Sequence, residues 1–487
     1  MYSDLRRAQL LARLFSNASV YGLGTLLTRA CGILLLPVYW IKLTPAEFGL
    51  IGLCQALLVF LGPILSLGLN DAMQRFYYDW SPAQRPQHLG ALWLSTCAFG
   101  LMCCLLLDFF GRHVFALLFT QVSFDPFLRI TLWSAFAINI SLIPLTVLRV
   151  REEICSFTLV TVAAFAIQAS LALWFLFRME LGVTGYLLAA LISNGLVAVY
   201  AALRMLREVR LTLNWSGLRD PLRYALPLVP ASVMEGLSTT LDRIVLDKFV
   251  GLTQIGLYNI GNQFGSALNM FNQILKSAWV PFVFRAASER TDGPAVLGKF
   301  SVYYIAALCV PALAIALLSR DFVMVAGDAR YHGVYSFVPA FVLLYLVQGS
   351  GTALGRGIDI AKKTGWALVV PAVSVIVGAT TLYVLVPTFG VWGAVAAALI
   401  TAVVRTGTHV FLAVRFYPRP LHLGALMRLV AITFCAFLVG HFLARDNLAA
   451  DVAMKLIIIV LATLAMLWFA LDRRQALALL RDWRQSR

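Results

Sequence analysis

Long apolar stretches, separated by short polar segments, follow one another along the chain. A transmembrane helix needs about 20 mostly apolar residues to cross about 30 Å of hydrocarbon. The stretches that meet this requirement predict fourteen spans, at residues 14–40, 46–70, 89–109, 126–148, 156–177, 183–204, 224–250, 254–280, 298–318, 334–355, 365–386, 390–414, 424–443 and 452–471. The pattern therefore predicts an all-α polytopic membrane protein with about fourteen transmembrane helices.

The first six predicted spans recur as the next six. Gly182-Val-Thr-Gly185 returns as Gly390-Val-Trp-Gly393, shifted by 208 residues, and Phe48-Gly49-Leu50 returns as Ile255-Gly256-Leu257, shifted by 207. A shift that stays nearly constant over separated segments favours duplication over chance matching of small apolar residues. Because each copy has an even number of spans, we predict two parallel repeats of six helices that share one orientation in the membrane.

The repeat divides the chain into three predicted regions. Residues 1–210 form an N-terminal lobe with helices 1–6, and residues 211–418 form a C-terminal lobe with helices 7–12. Residues 419–487 hold helices 13 and 14 and a tail, where leucines at helical spacing alternate with arginines. Such a tail is typical of an amphipathic helix on the anionic cytoplasmic surface of a membrane.

Composition excludes a water-soluble fold and orients the chain in the membrane. Of 487 residues, 61% are hydrophobic and 13% are charged, whereas soluble domains average about 45–50% apolar and about 25% charged residues. The termini and the loops after even-numbered spans hold 26 lysines and arginines, and the opposite loops hold 8. By the positive-inside rule, we predict a multi-pass inner-membrane protein with both termini in the cytoplasm. The net charge of +16 follows this sidedness, so we predict no nucleic-acid partner.

The sequence lacks the motifs of ATP hydrolysis, zinc catalysis and nucleophilic catalysis, and its eight cysteines show no metal-ligand spacing. The glycine-rich run Gly349–Gly357 is not preceded by the strand of a phosphate loop, so helix packing explains it better. We therefore expect no cofactor, no metal and no enzymatic activity. A proton gradient, a sodium gradient or the membrane potential is the expected driving force.

The eighth predicted span is polar along one face. Its polar residues are spaced alternately by three and four positions, which places them on one side of a helix. Interhelical hydrogen bonds are the alternative, but they usually involve one or two residues, so six in a row favour the wall of a water-filled cavity. The six are Asn259, Asn262, Ser266, Asn269, Gln273 and Lys276.

Ionisable residues inside the predicted spans carry a basic surplus. The cations are Arg29, Arg129, Arg243, Lys276 and Arg405, and the acids are Glu235, Asp242 and Asp247. A basic cavity selects anions, and guanidinium groups suit phosphate in particular. Snorkelling to the membrane surface is the alternative for Arg129 and Lys276, which lie close to span ends.

These counts predict roles for individual residues. The predicted substrate-binding residues are Arg29, Arg243, Asn262, Ser266, Asn269, Gln273, Lys276 and Arg405. The predicted coupling groups are Glu235, Asp242 and Asp247, of which Asp247 is spaced for an i,i+4 ion pair with Arg243. The repeat also places Glu235 opposite Arg29, so a pair across the pseudo-symmetry axis and separate local bonding both remain open.

Several short motifs point to a family. They are Leu43-Thr-Pro-Ala-Glu-Phe-Gly49-Leu, Gly68-Leu-Asn-Asp71 with Arg75-Phe-Tyr-Tyr, and Leu241-Asp242-Arg243 followed by Gly256-Leu-Tyr258. Together they resemble the polysaccharide transporter branch, the oligosaccharide flippases, of the multidrug/oligosaccharidyl-lipid/polysaccharide exporter superfamily, and the resemblance covers essentially the whole chain. It implies a V-shaped pair of six-helix lobes around a central cationic cavity, with the last two helices packed outside. It also implies translocation of undecaprenyl-diphosphate-linked oligosaccharides for O-antigen, capsule or exopolysaccharide synthesis.

Other functions stay open at this level. A lipid II flippase and a multidrug or cation antiporter belong to the same superfamily, although cationic drugs require an acidic cavity. A membrane glycosyltransferase or polymerase needs a substantial periplasmic loop, and the outside loops near 110–125 and 319–333 are short. We therefore expect ion-coupled alternating access, with lipid-linked oligosaccharide, membrane lipids, a polysaccharide polymerase and a chain-length regulator as partners.

Overall fold

The computed structural model of the protein describes residues 31–209, 215–289, 292–361, 363, 366, 368–443 and 447–470, and the regular structure in these ranges is helical throughout. Short segments of tighter or wider helix occupy Phe124–Leu128, Leu226–Leu228 and Ala329–Ser336. The helices are α1 (Leu36–Lys42), α2 (Pro45–Ser66), α3 (Leu69–Phe76), α4 (Arg85–Leu118), α5 (Arg129–Val150), α6 (Ile154–Phe177), α7 (Gly182–Glu208), α8 (Trp215–Ala225), α9 (Val229–Phe249), α10 (Leu252–Glu289), α11 (Gly293–Ala326), α12 (Val338–Leu354), α13 (Gly357–Ile360), α14 (Val369–Phe416), α15 (Leu423–Phe442) and α16 (Leu448–Ala470).

Ten stretches of helix within the described ranges are long and apolar enough to cross a membrane, which confirms the predicted all-α polytopic class. Helix α14 is 48 residues long and corresponds to two predicted spans, because the backbone breaks at Gly390, with φ +56° and ψ −131°. Its equivalent in the first repeat, Gly182, also has a positive φ, of +53°, a conformation that glycine adopts without strain. Helices α9 and α10 coincide with predicted spans seven and eight and fall outside the ten because of their polar and charged side chains. Most of the first predicted span lies outside the described residues.

A capping box fixes the start of α2. The backbone N–H of Thr44 donates to Glu47 Oε2 over 2.7 Å, and the backbone N–H of Glu47 donates to Thr44 Oγ1 over 3.3 Å. This exchange satisfies two donors that a helix start leaves without intrahelical partners. The equivalent turn before α10 uses a backbone bond instead, from the N–H of Gln254 to the carbonyl oxygen of Gly251 over 3.0 Å.

Two equivalent glycines bring the starts of α2 and α10 into backbone contact. A Cβ atom at Gly49 would lie 2.2 Å from the carbonyl oxygen of Leu252, and a Cβ atom at Gly256 would lie 1.7 Å from that of Pro45. Pro45 and Leu252 are separated by the same 207 residues as Gly49 and Gly256. The two contacts are therefore related by the repeat, and this reciprocal pairing is what a two-fold axis produces.

The chain packs into two compact units. The first comprises the residues up to Asn259 together with Gly378–Ala394, and the second comprises Ile260–Val377 and the residues from Val395 onward. These units follow packing, whereas the lobes at 1–210 and 211–418 and the region 419–487 follow the sequence repeat, so those three boundaries stay a prediction. In the first unit, a buried cluster joins α3, α4 and α5, with Met73, Trp93 and Ile143 among its members.

Candidate functional site

The polar face of α10 is accessible along its length, whereas several residues on the other faces of the helix are buried. All of the predicted polar residues on this face are half-buried or exposed, whereas Tyr258, Leu268 and Asn272 on other faces are buried. In the second unit, the hydroxyl of Tyr345 donates to Asn262 Oδ1 over 3.0 Å, and this contact orients the amide. A polar face that remains accessible on a helix predicted to span the membrane can line an aqueous cavity.

In the first unit, Asp242 and Arg243 on α9 are held by the start of α10. The hydroxyl of Tyr258 donates to Asp242 Oδ2 over 2.5 Å, and Arg243 Nε donates to Asn259 Oδ1 over 2.8 Å. Arg243 also reaches Asp242 Oδ1 at 3.5 Å, with the two side chains 16% and 19% exposed. Gly52 makes room for the amide, because a Cβ atom there would lie 1.7 Å from Asn259 Nδ2. The cluster therefore presents a positioned guanidinium beside a carboxylate that is only partly shielded.

Asp247 plays a different part from the one predicted. It is 1% exposed, and its carboxylate accepts hydrogen bonds from the backbone N–H groups of Thr120 and Gln121. The Gln121 side-chain amide also donates to the carbonyl oxygen of Val250 over 2.8 Å. The predicted i,i+4 ion pair between Arg243 and Asp247 is therefore wrong, because backbone amides 126 and 127 residues away satisfy the carboxylate instead. These bonds form a latch between the loop after α4 and the end of α9.

In the second unit, a group of cations surrounds one carboxylate. Lys276 on α10 interacts electrostatically with Arg356 and Asp359, and His409 on α14 interacts with the same two residues and with Arg405. Arg356 Nη1 donates to Asp359 Oδ2 over 2.9 Å, while its buried Nε has no hydrogen-bond partner within the described part of the chain. Lys276 and Arg356 therefore share the carboxylate of Asp359, and Arg405 lies near the same histidine, an arrangement of cations that attracts anions.

Glycine shapes the same region. A Cβ atom at Gly355 would lie 2.6 Å from two ring atoms of His409, and one at Gly357 would lie 2.1 Å from the carbonyl oxygen of Ala413. The glycine-rich run therefore brings the end of α12 against α14, in agreement with the packing interpretation. It also brings Arg356, which the sequence had not singled out as a site residue, into the cationic group.

A buried charge cluster in the second unit escaped the sequence analysis. Lys455 Nζ lies 2.7 Å from Asp321 Oδ2 and 2.6 Å from Asp451 Oδ2, and the side chains of Lys455 and Asp451 are 2% and 4% exposed. The i,i+4 spacing of Asp451 and Lys455 at the start of the fourteenth span was the available signal. The third member, Asp321, is 134 residues away from Lys455 along the chain.

The remaining predicted residues lie as follows. Arg29 lies outside the described residues, so the hypothesis of a pair with Glu235 stays a prediction. Glu235 is half-buried on α9. Arg129 is exposed and bonds to Asp108 over 2.8 Å and to Asp125 over 2.6 Å. It therefore belongs to a local ion-pair group rather than to the cationic group of the second unit.

Comparison with known proteins places the chain in a family. The family model described as "Polysaccharide biosynthesis protein" matches residues 14–287. Two Haemophilus influenzae proteins, named "Uncharacterized membrane protein" and "Lsg locus putative protein 1", are both 22% identical to the chain, over 341 and 348 residues. Each match covers 68% of this chain, and 80% and 81% of the two relatives respectively.

Two solved structures share the fold. The lipid II flippase MurJ, in its inward closed conformation, has a TM-score of 0.72 at 12% identity and covers 92% of this chain and 97% of its own. An inward-facing multidrug resistance MATE family transporter of the MOP superfamily has a TM-score of 0.58 at 17% identity and covers 80% and 93%. Since the family model matches more than half of the chain, the protein belongs to the polysaccharide biosynthesis protein family.

Proposed function

We propose that the protein flips undecaprenyl-diphosphate-linked oligosaccharide repeat units from the cytoplasmic to the periplasmic leaflet of the inner membrane. The observation that carries this proposal is the accessible face of α10, which combines side-chain amides with Lys276 and its neighbouring cations. Amides both donate and accept hydrogen bonds, as sugar hydroxyls require, and clustered cations bind a diphosphate. Both termini would lie in the cytoplasm, and the transported unit would serve O-antigen, capsule or exopolysaccharide assembly.

The proposed substrate-binding residues are those predicted from the sequence, together with Arg356. In the second unit, Lys276 would contact the diphosphate, Arg405 would add positive charge, and Arg356 joins them. Arg243, in the first unit, and Arg29 would each make a further contact with the substrate. Asn262, Ser266, Asn269 and Gln273 would contact the sugars. Substrate transfer requires no bond to be broken, so the protein would act as a transporter without catalytic residues.

Alternating access requires a seal that opens and closes. The latch of Asp247 on Thr120 and Gln121 lies at the end of the spans that the charge distribution predicts to be periplasmic. In our proposal, the latch closes that end while substrate enters from the cytoplasm, and it breaks as the cavity opens outward. Glu235 and Asp242 are the proposed ion-coupling groups, and Asp247 becomes a gating residue because backbone amides occupy its carboxylate.

A lipid II flippase is the second candidate, because the fold matches that of a solved lipid II flippase over 92% of this chain. A multidrug antiporter is less compatible with the second unit, where Lys276, Arg356 and Arg405 outnumber Asp359, since a cationic drug would be repelled. The two flippase candidates differ in which precursor accumulates when the protein is absent.

The test is complementation of strains that lack either a surface-polysaccharide flippase or the lipid II flippase. Export is scored as surface glycan, and the trapped lipid-linked precursor is measured inside the cell. Arg243→Ala and Lys276→Ala should each reduce export about ten- to a hundred-fold, because each removes a charge-assisted hydrogen bond worth about 1.5–3 kcal/mol. Arg243→Lys should be intermediate because it keeps the charge and loses the planar fork.

Arg75→Ala is the matched control, since Arg75 forms an exposed ion pair with Asp79. Normal export by the double variant of Arg243 and Lys276 would contradict the proposed site. If the protein rescues only the strain that lacks the lipid II flippase, its substrate is lipid II and not the oligosaccharide.

A further inference from the structure

Arg419 is a buried cation that forms no ion pair with an acid among the described residues. It lies between α14 and α15 and is 6% exposed. Its Nη2 donates to the carbonyl oxygens of Ala353 and Leu354 at the end of α12, while its Nε and Nη1 have no hydrogen-bond partner in the described part of the chain. Capping the end of α12 therefore uses one of its three nitrogens. A buried guanidinium with two unsatisfied nitrogens requires an explanation, because nearly all buried polar groups are bonded.

Within the described ranges, no carboxylate forms an ion pair with Arg419. Burial lowers the pKa of Arg419, and the one opposing influence among the described groups is the hydroxyl of Tyr417. His422 adds a second unsatisfied donor or acceptor, since its Nε2 is buried and has no partner in the described residues. Both side chains lie against α11, where a Cβ atom at Gly298 would be 3.5 Å from His422 Nε2, and where Ser301 Oγ donates to the same carbonyl oxygen of Ala353 as Arg419.

The neighbouring surface is apolar. Leu423, Met427 and Val430, on the first turns of α15, are 60%, 68% and 58% exposed. The charge distribution predicts that this end of α15 lies at the cytoplasmic surface of the membrane, where anionic lipids are enriched. A ligand that satisfies both features has a negatively charged head beside Arg419 and His422 and an apolar tail along α15.

We propose that Arg419 and His422 form a binding site for the phosphate headgroup of an anionic phospholipid of the cytoplasmic leaflet. The phosphate oxygens accept hydrogen bonds from Nε and Nη1 of Arg419, and the acyl chains lie on Leu423 and Met427. This proposal does not depend on what the protein transports. Inorganic phosphate shares the headgroup chemistry and lacks the acyl chains, so the two sources are separable by experiment.

The experiment measures lipid bound to the purified full-length protein by native mass spectrometry. The protein is placed in phosphatidylcholine nanodiscs to which phosphatidylglycerol is added in steps. We expect wild type to retain phosphatidylglycerol in preference to phosphatidylcholine and Arg419→Gln to bind it about ten- to a hundred-fold more weakly, through loss of charge-assisted hydrogen bonds. Arg428→Gln is the matched control, because Arg428 is exposed on the same helix and bonds to its own backbone at Gly424.

A conservative variant and a competition experiment test the charge of Arg419 and the need for acyl chains. Arg419→Lys keeps the charge and can still cap α12, so it should fold and show intermediate binding even if Arg419→Gln does not fold. Millimolar inorganic phosphate should not displace the lipid. If it does displace the lipid, the ligand of the site is a soluble anion and not a phospholipid. Equal retention of phosphatidylglycerol and phosphatidylcholine by the wild type, or equal loss in the Arg428→Gln control, would overturn the proposal.

Discussion

The second unit contains two groups of charges that differ in burial and in balance. In the first, Lys455 is bonded to Asp321 and Asp451 and is 2% exposed. In the second, Lys276 lies half-buried with Arg356 and Arg405, and Asp359 is their acidic neighbour. Fully buried charges must be paired because their desolvation is expensive, whereas accessible charges can remain unbalanced until a ligand arrives. Burial with pairing therefore indicates an anchor between helices, and accessibility with a surplus of one sign indicates a binding surface.

Breaking the buried group should have the largest effect on stability. Lys455→Met leaves two carboxylates buried without their cation, so we expect a loss of about 3–5 kcal/mol in the free energy of unfolding. The measurement is denaturant unfolding of the purified protein in detergent, followed by circular dichroism. Adding Asp321→Asn and Asp451→Asn to Lys455→Met should recover most of the loss, because it removes the uncompensated charge.

The control for Lys455→Met is Arg112→Gln, which breaks an exposed ion pair with Asp125 and should leave stability unchanged. If Lys455→Met unfolds at the same denaturant concentration as wild type, the buried group is not an anchor, and the comparison between the two groups fails.

Breaking the latch should reduce the free energy of unfolding less than breaking the buried group, because the partners of Asp247 are uncharged backbone amides. Asp247→Ala leaves the N–H groups of Thr120 and Gln121 without their acceptor. Because Thr120 is exposed and Gln121 is half-buried, water can replace part of each hydrogen bond, and each loss should cost about 0.5–1.5 kcal/mol. We expect a cysteine placed at position 121 of a cysteine-free protein to react faster with an impermeant thiol reagent added from outside when Asp247 is replaced.

Asp328→Ala is the matched control for the latch, because Asp328 is exposed, also bonds to a backbone N–H, that of Arg330, and is predicted to lie on the same side of the membrane. An unchanged labelling rate in Asp247→Ala would show that these bonds do not seal the end predicted to be periplasmic.

The accessible group should show the smallest effect on stability and a large effect on export. Lys276→Gln removes a cation from a group with a surplus of cations, so the free energy of unfolding should change by less than about 0.5 kcal/mol. Export should nevertheless fall if Lys276 binds the substrate. Lys299→Gln, at an exposed position on α11, is the control, and a loss of stability similar to that of Lys455→Met would place Lys276 among the anchors.

Features with a local cause were predictable from the sequence. Apolar length predicted the helices, and the sequence repeat related Gly182 to Gly390, which share a positive φ in the structure. The polar face of α10 was visible because its spacing depends on one helix alone. The structure adds that this face is accessible and that its neighbours include Arg356.

Features that depend on distant pairing were not predictable. Asp247 was assigned to Arg243 because the two are four positions apart, but its partners lie on a loop more than 120 residues earlier in the chain. Asp321 falls in the predicted loop near 319–333 and Lys455 near the start of the fourteenth predicted span, and no local pattern connects α11 to α16. Hydrogen-bond partners of this kind follow from helix packing, which a single sequence does not specify.

The reciprocal contact of Gly49 and Gly256 also bears on how such a chain arose. Residues beside a two-fold axis that touch their own equivalents are what an isologous homodimer interface leaves behind after gene fusion. In an ancestor with one copy of the gene, a single glycine codon would have served both sides of that contact. Duplication and fusion give two copies of that codon. Each of the two glycines still packs against the opposite backbone, at Leu252 and Pro45. Neither glycine therefore tolerates substitution better after the duplication. Sequence divergence between the halves is expected to accumulate away from this axis.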